Sequence, residues 1–109
     1  MKVENLISEL NLKQITSAGS DNEVTGVYVG DLLSVVMSNC EEGDAWITVQ
    51  THMNILSVAD LNDAACIIIA GDSEIDSSLK EKAEEKGIAL LSSYMSAYEL
   101  AWRIHEVME

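Results

Sequence analysis

The densest group of side chains able to do chemistry is Gln50-Thr51-His52-Met53-Asn54, which lies between an apolar run and a helical one. An imidazole titrates near neutral pH, so His52 suits a general base, a phosphate contact or a docking residue. It suits equally well a capped helix start with the ring in solvent. Asp31 and Asp72 each follow a glycine, in Gly30-Asp31 and Gly71-Asp72. Such carboxylates can hold Mg²⁺ beside a phosphate, or they can cap a helix or form a turn. Ser92-Ser93 closes another apolar run. Gly71-Asp72-Ser73 is not a Gly-x-x-x-x-Gly-Lys-Ser/Thr loop, and neither Gly-x-Gly-x-x-Gly nor Gly-x-Ser-x-Gly occurs. No nucleophile, base and orienting group assemble, so catalysis, a resident metal and a cofactor are not expected.

The elements that must position these residues are organised around Ala65-Cys66-Ile67-Ile68-Ile69-Ala70. This run is apolar at every position and rich in isoleucine, which predicts a strand covered on both faces. Before it, Val3 to Leu10 is helical in pattern and Leu12 to Ala18 reads as a short strand. After the turn Gly19-Ser20-Asp21-Asn22, Val24 to Gly30 reads as a strand, in which Gly26 predicts a bulge or a close backbone approach. Asp31 is placed to cap a helix from Leu32 to Cys40. A strand from Ala45 to Gln50 leads to a helix from Ile55 to Ala64 with Ile55, Val58 and Leu61 facing inward.

Beyond the central strand, Asp76 caps a surface helix from Ser77 to Lys86, and Gly87 ends it. Ile88 to Leu91 is the next strand. Ser96 and Glu99 match a capping box for the last helix, whose buried face is Ala97, Leu100, Ala101, Ile104 and Met108. From Val24 the order is β-α-β-α-β-α-β-α. The expected fold is a single α/β domain over residues 1–109, a mainly parallel sheet with helices on both faces, after an N-terminal helix and strand. In such a sheet ligands bind beyond the carboxyl ends of the strands. Asp31, Gln50, Thr51, His52, Asn54, Gly71, Asp72, Ser92 and Ser93 all fall there, and they are the candidate ligand-binding residues.

Charge narrows the partners. The chain carries 19 Asp and Glu against 6 Lys and Arg, net −13. Nucleic acid and anionic membrane surfaces are not expected partners, because both require clustered cations. Cys66 lies inside the central strand and Cys40 ends a helix, with no metal-binding spacing. Met1 to Asn5 does not read as a signal peptide and no apolar run is long enough to cross a bilayer, so a cytoplasmic location is expected. Tyr98, Trp102, Ile104, Val107 and Met108 exceed one helix face, which predicts that a partner, a second copy of the chain, covers part of the last helix. His105 reads as a surface residue.

Four stretches occur in succession: Val24-Thr25-Gly26-Val27-Tyr28-Val29-Gly30-Asp31-Leu32-Leu33, Gly43-Asp44-Ala45-Trp46-Ile47-Thr48-Val49-Gln50-Thr51-His52, Ala65 to Gly71, and Gly87-Ile88-Ala89-Leu90-Leu91-Ser92-Ser93. In this order and spacing the chain resembles the DRTGG domain family, most of all its stand-alone members. It also resembles the N-terminal domain of HPr kinase/phosphorylase, which lacks the kinase phosphate-binding loop. The naming motif is not present literally, and Ala70-Gly71-Asp72 stands where a Thr-Gly-Gly-like turn is expected. The resemblance implies a small regulatory rather than catalytic module, of the kind found beside CBS domains. A nucleotide or other small anion is the implied ligand. The alternatives are a homodimeric interaction subunit accessory to a metabolic or hydrogenase-type complex, and, more remotely, a phosphotransfer auxiliary.

Overall fold

Ten elements follow one another in the computed structural model, which describes residues 1–108. They are α1 (Val3–Leu10), β1 (Lys13–Gln14), β2 (Gly26–Val29), α2 (Leu33–Asn39), β3 (Asp44–Thr48), α3 (Asn54–Asn62), β4 (Cys66–Ile69), α4 (Ser77–Lys86), β5 (Leu90–Ser92) and α5 (Ala97–Met108). The sheet order is β1-β5-β4-β3-β2. β2 to β5 are parallel, and β1 joins β5 antiparallel with Lys13 opposite Ser92. The expected α/β architecture is present, and the sheet order, open from sequence alone, is sequential along its parallel strands.

That order decides where the helices lie. Right-handed crossovers that all step in one direction put every connecting helix on one face. Accordingly α2, α3 and α4 share a core with Trp46, Ile67, Ile69 and Leu90. α1 and α5, which connect no parallel pair, cover the other face and pack on Ala45, Ile47, Ile68 and Leu91. Alternate residues of one strand thus feed opposite cores, which is why β3 and β4 are buried at every position.

Several local expectations are corrected. β1 is two residues, not seven. Ile15 and Thr16 both donate to the Leu90 carbonyl, at 2.9 and 3.2 Å, which breaks the ladder. Thr16 Oγ1 then donates to Ile88 O (2.7 Å) and accepts from Leu90 N (2.9 Å), replacing ladder partners with a side chain. The chain leaves through Ser17 and Ala18, whose N–H groups, with the Ser17 hydroxyl, bind the Glu84 carboxylate. Those donors hold Glu84 below the usual carboxylate range, so it is not the idle surface charge its sequence context suggests.

Leu61 does not face inward: it is 69% exposed, while Ile55, Leu56, Val58 and Ala59 form the buried stripe of α3. At 100° per residue Leu61 lies roughly 140° from the centre of that stripe. On α5, Ser96 Oγ accepts from Glu99 N as expected, but the Glu99 carboxylate is bound by Arg103 Nε at 2.9 Å. Gly26 does mark a close approach, since a Cβ there would lie 2.5 Å from Asp44 Oδ1.

Candidate functional site

The strands' carboxyl ends form one rim, and the four expected junctions lie along it in strand order. A sequential sheet has no point at which the winding reverses, so no crevice opens between neighbouring crossovers. The junctions therefore form a row, not a ring, and they separate into two hydrogen-bonded groups.

The first group joins β2 to β3. Asp31 Oδ1 accepts from Thr48 Oγ1 at 2.8 Å and from Val49 N at 2.9 Å. Gln50 Nε2 donates to Asp31 O at 3.1 Å. Asp31 is thus not the cap of α2; Leu32 holds that position and makes no side-chain cap bond. The carboxylate instead closes the end of the sheet, where Thr48 and Val49 offer it two donors at once. Nearby, His52 Nδ1 accepts from Asn54 N at 3.1 Å, and the ring is exposed. The imidazole caps the first turn of α3. Thr51 and Asn54 are also exposed.

The second group joins β4 to β5. Gly71 N donates to Met95 O and Asp72 N to Ser93 O, both at 2.9 Å. Ser93 Oγ accepts from Met95 N at 3.0 Å. Gly71 and Asp72 have φ of +81° and +58°, two consecutive left-handed residues. A Cβ at Gly71 would meet nothing within 4 Å, so glycine serves the backbone there rather than a tight space. A Gly-Gly pair would relax both positions, which is the physical content of the turn expected at Ala70-Gly71-Asp72. Aspartate tolerates the left-handed region better than most residues do.

Beside this second group lies a cleft of about 580 Å³, between β1, the loop after β4 and the start of α4. Asp72 and Ser92 line it, so two of the expected residues meet there. Lys13 of β1 and Lys80 of α4 line it as well, with Ser73 and Ser77. Neither lysine belongs to the ion pairs among the described residues, which join the N-terminus to Glu23, Lys82 to Glu85 and Arg103 to Glu99. Asp76 caps α4 by accepting from Ser78 N at 3.3 Å. Two cations of the 6 in the chain line this cleft, matched in number by Asp72 and Glu74 on the wall, and Lys80 also helps to hold Glu84 ionised; against a molecule of net −13 the cleft is locally neutral. Lys13 and Lys80 were missed from sequence because they are far apart in the chain. The scarcity of cations was the one available signal.

Cys66 is buried and its thiol is pushed up to about 12 by that burial. Cys40 is pushed up to about 11 by burial and by the charges of Asp44 and Glu41. Neither is a nucleophile near neutral pH. Among the described residues no group of three His, Cys, Asp or Glu is placed to hold a metal ion, and no helix is long and apolar enough to cross a membrane.

The family model of the DRTGG domain matches residues 5–107. No curated protein matches the sequence. Among solved structures, the CBS and DRTGG domains of the regulatory region of Clostridium perfringens pyrophosphatase, complexed with the activator diadenosine tetraphosphate, are similar to this chain with a TM-score of 0.71. Identity is 13%, and the match covers 93% of this chain and 44% of that one. At this identity the likeness bears on the fold, and this chain spans under half the length of the other.

Proposed function

As the chain belongs to the DRTGG domain family, we propose that it is a regulatory module, not a catalyst, which binds a small anionic ligand such as a nucleotide beside Lys13 and Lys80. The observation that carries this reading is the cleft, where two of 6 cations face a helix start in an otherwise acidic molecule. Ser73, Ser77 and Ser92 supply neutral hydrogen-bonding groups around them. A regulatory region containing such a domain, in the pyrophosphatase, is complexed with a nucleotide activator. The reading takes residues 1–109 as one domain acting in the cytoplasm.

Thermal unfolding against adenine and guanine nucleotides, dinucleoside polyphosphates, coenzyme A and acetyl phosphate tests it. A ligand at a hundred times its dissociation constant adds about 2.7 kcal/mol. In a domain of this size that is a shift on the order of 10 °C. The shift should disappear in Lys13→Ala and Lys80→Ala and survive in His52→Ala. Loss in His52→Ala alone would move the ligand to the Asp31, Gln50, Thr51, His52 and Asn54 group. No shift with any compound would remove the ligand from the reading.

The second reading is an interaction subunit that forms a homodimer. It is favoured by large apolar side chains left outside, including Tyr98 at 79% and Trp102 at 40% exposure. The last helix supports it less than its composition suggests. Ile104 is buried, and Val107 and Met108 pack on the core beneath α1 and α5.

A further inference from the structure

The two edges of the sheet are built differently. β1 is two residues long and carries Lys13, which is how an edge strand is kept from pairing with another chain. β2 has none of these safeguards. It is Gly-Val-Tyr-Val, without charge or proline, and its outer side has no strand partner among the described residues. Its pairing with β3 continues at both ends, through Thr25 N to Gly43 O and Gly30 N to Ile47 O, so the backbone is held extended beyond the strand itself.

The surface around β2 carries little charge. From Val24 to Cys40 the one charged residue is Asp31, and its Oδ1 is already bound by Thr48 and Val49. Val29 is 48% exposed and Leu32 67%, and Val35 and Met37 of α2 are exposed beside them. On the other face, Val27 and Val29 border a groove against Ala101, His105 and Met108 of α5.

We infer that this strip docks a second copy of the same chain, with β2 of one copy antiparallel to β2 of the other across a two-fold axis, joining two sheets into one. Charge selects the occupant. Two molecules of net −13 repel wherever acidic faces meet, so a copy approaches most easily through a surface of low charge, here one carboxylate, Asp31, in seventeen residues. A basic partner would be drawn to the more densely acidic surface elsewhere, since this strip offers it one carboxylate. A two-fold axis also requires a self-complementary patch, which a neutral apolar strand edge is. The inference rests on the homodimer reading and is independent of ligand binding.

Sedimentation analysis across micromolar concentrations, with amide hydrogen exchange, tests it. The wild-type chain should sediment at twice 11.9 kDa, and the dimer should tighten about tenfold as salt screens the acidic faces. Amides of residues 25–30 should exchange more slowly in the dimer than on dilution. Leu32→Glu and Val29→Lys, at exposed positions that the monomer does not need for its core, should give folded monomers. Tyr94→Glu, at the β5 end of the rim, should leave the dimer intact. A wild-type monomer at high micromolar concentration would overturn both the inference and the homodimer reading. A dimer that persists in Leu32→Glu and Val29→Lys, with residues 25–30 exchanging freely, would overturn the inference and leave a homodimer built elsewhere.

Discussion

Single side chains in this protein take their meaning from what surrounds them, and Cys66 shows the consequence for pH. In the unfolded chain its thiol ionises near 9, and in the folded chain burial delays this to about 12. Between those values the unfolded state holds fewer protons than the folded one. Stability therefore stays level below pH 9 and falls as pH rises above it, by about 1.4 kcal/mol per pH unit for one thiol. Other groups titrate in the same range, so the comparison to make is with Cys66→Ala. Urea unfolding should show the advantage of wild type over that variant shrinking by about 2 kcal/mol between pH 8 and pH 10.5. An unchanged difference would mean that the thiol is not held neutral by the core. His52 and Asp31 make the same point without titration: each was open to a capping or a ligand role, and each makes local hydrogen bonds, at the start of α3 and the end of β3.

Among the elements, β1 is the weakest and depends most on one residue. Two residues of ladder do not hold a strand, and Thr16 adds two hydrogen bonds to β5 from a buried position. Thr16→Val keeps the shape and removes both bonds, leaving Leu90 N and Ile88 O without that partner. The expected cost is about 1–3 kcal/mol, measured as a shift in the urea midpoint at unchanged slope. Because Lys13 stands on the same strand, any anion affinity of the cleft should fall as well. Variants of Ser17, one residue on, should do less, since Glu84 can keep the Ala18 N–H and the loop is exposed.

At the scale of the whole molecule, net charge sets the conditions under which the fold is most stable. A chain of net −13 repels itself, and repulsion across the surface is screened within about 10 Å at 0.1 M salt. Thermal midpoints should therefore rise by several degrees when salt is raised from low concentration to about 0.3 M. The monomeric Leu32→Glu variant should show the rise too, which separates self-repulsion from dimer formation. A midpoint that stays flat would mean the acidic groups are too widely spaced to interact.

The element order was legible from the sequence because periodicity and capping are local. The ends of α4 could be read from Asp76 and Gly87, and the burial of β4 from its unbroken run of isoleucines. That the junctions at the strands' carboxyl ends share one rim also followed from alternation alone. What only the tertiary structure decided depends on residues distant in sequence. The sequential sheet order sends three helices to one face and leaves no reversal in the winding, and no local pattern encodes that choice. It separates the expected site into two groups and sets Lys13 and Lys80 across one cleft. It also leaves β2 at an open edge, so that Leu32 at the cap of α2 and Met37 within it stand in solvent. Burial is a property of neighbours in space, and a helix at the end of a sheet has them on one side.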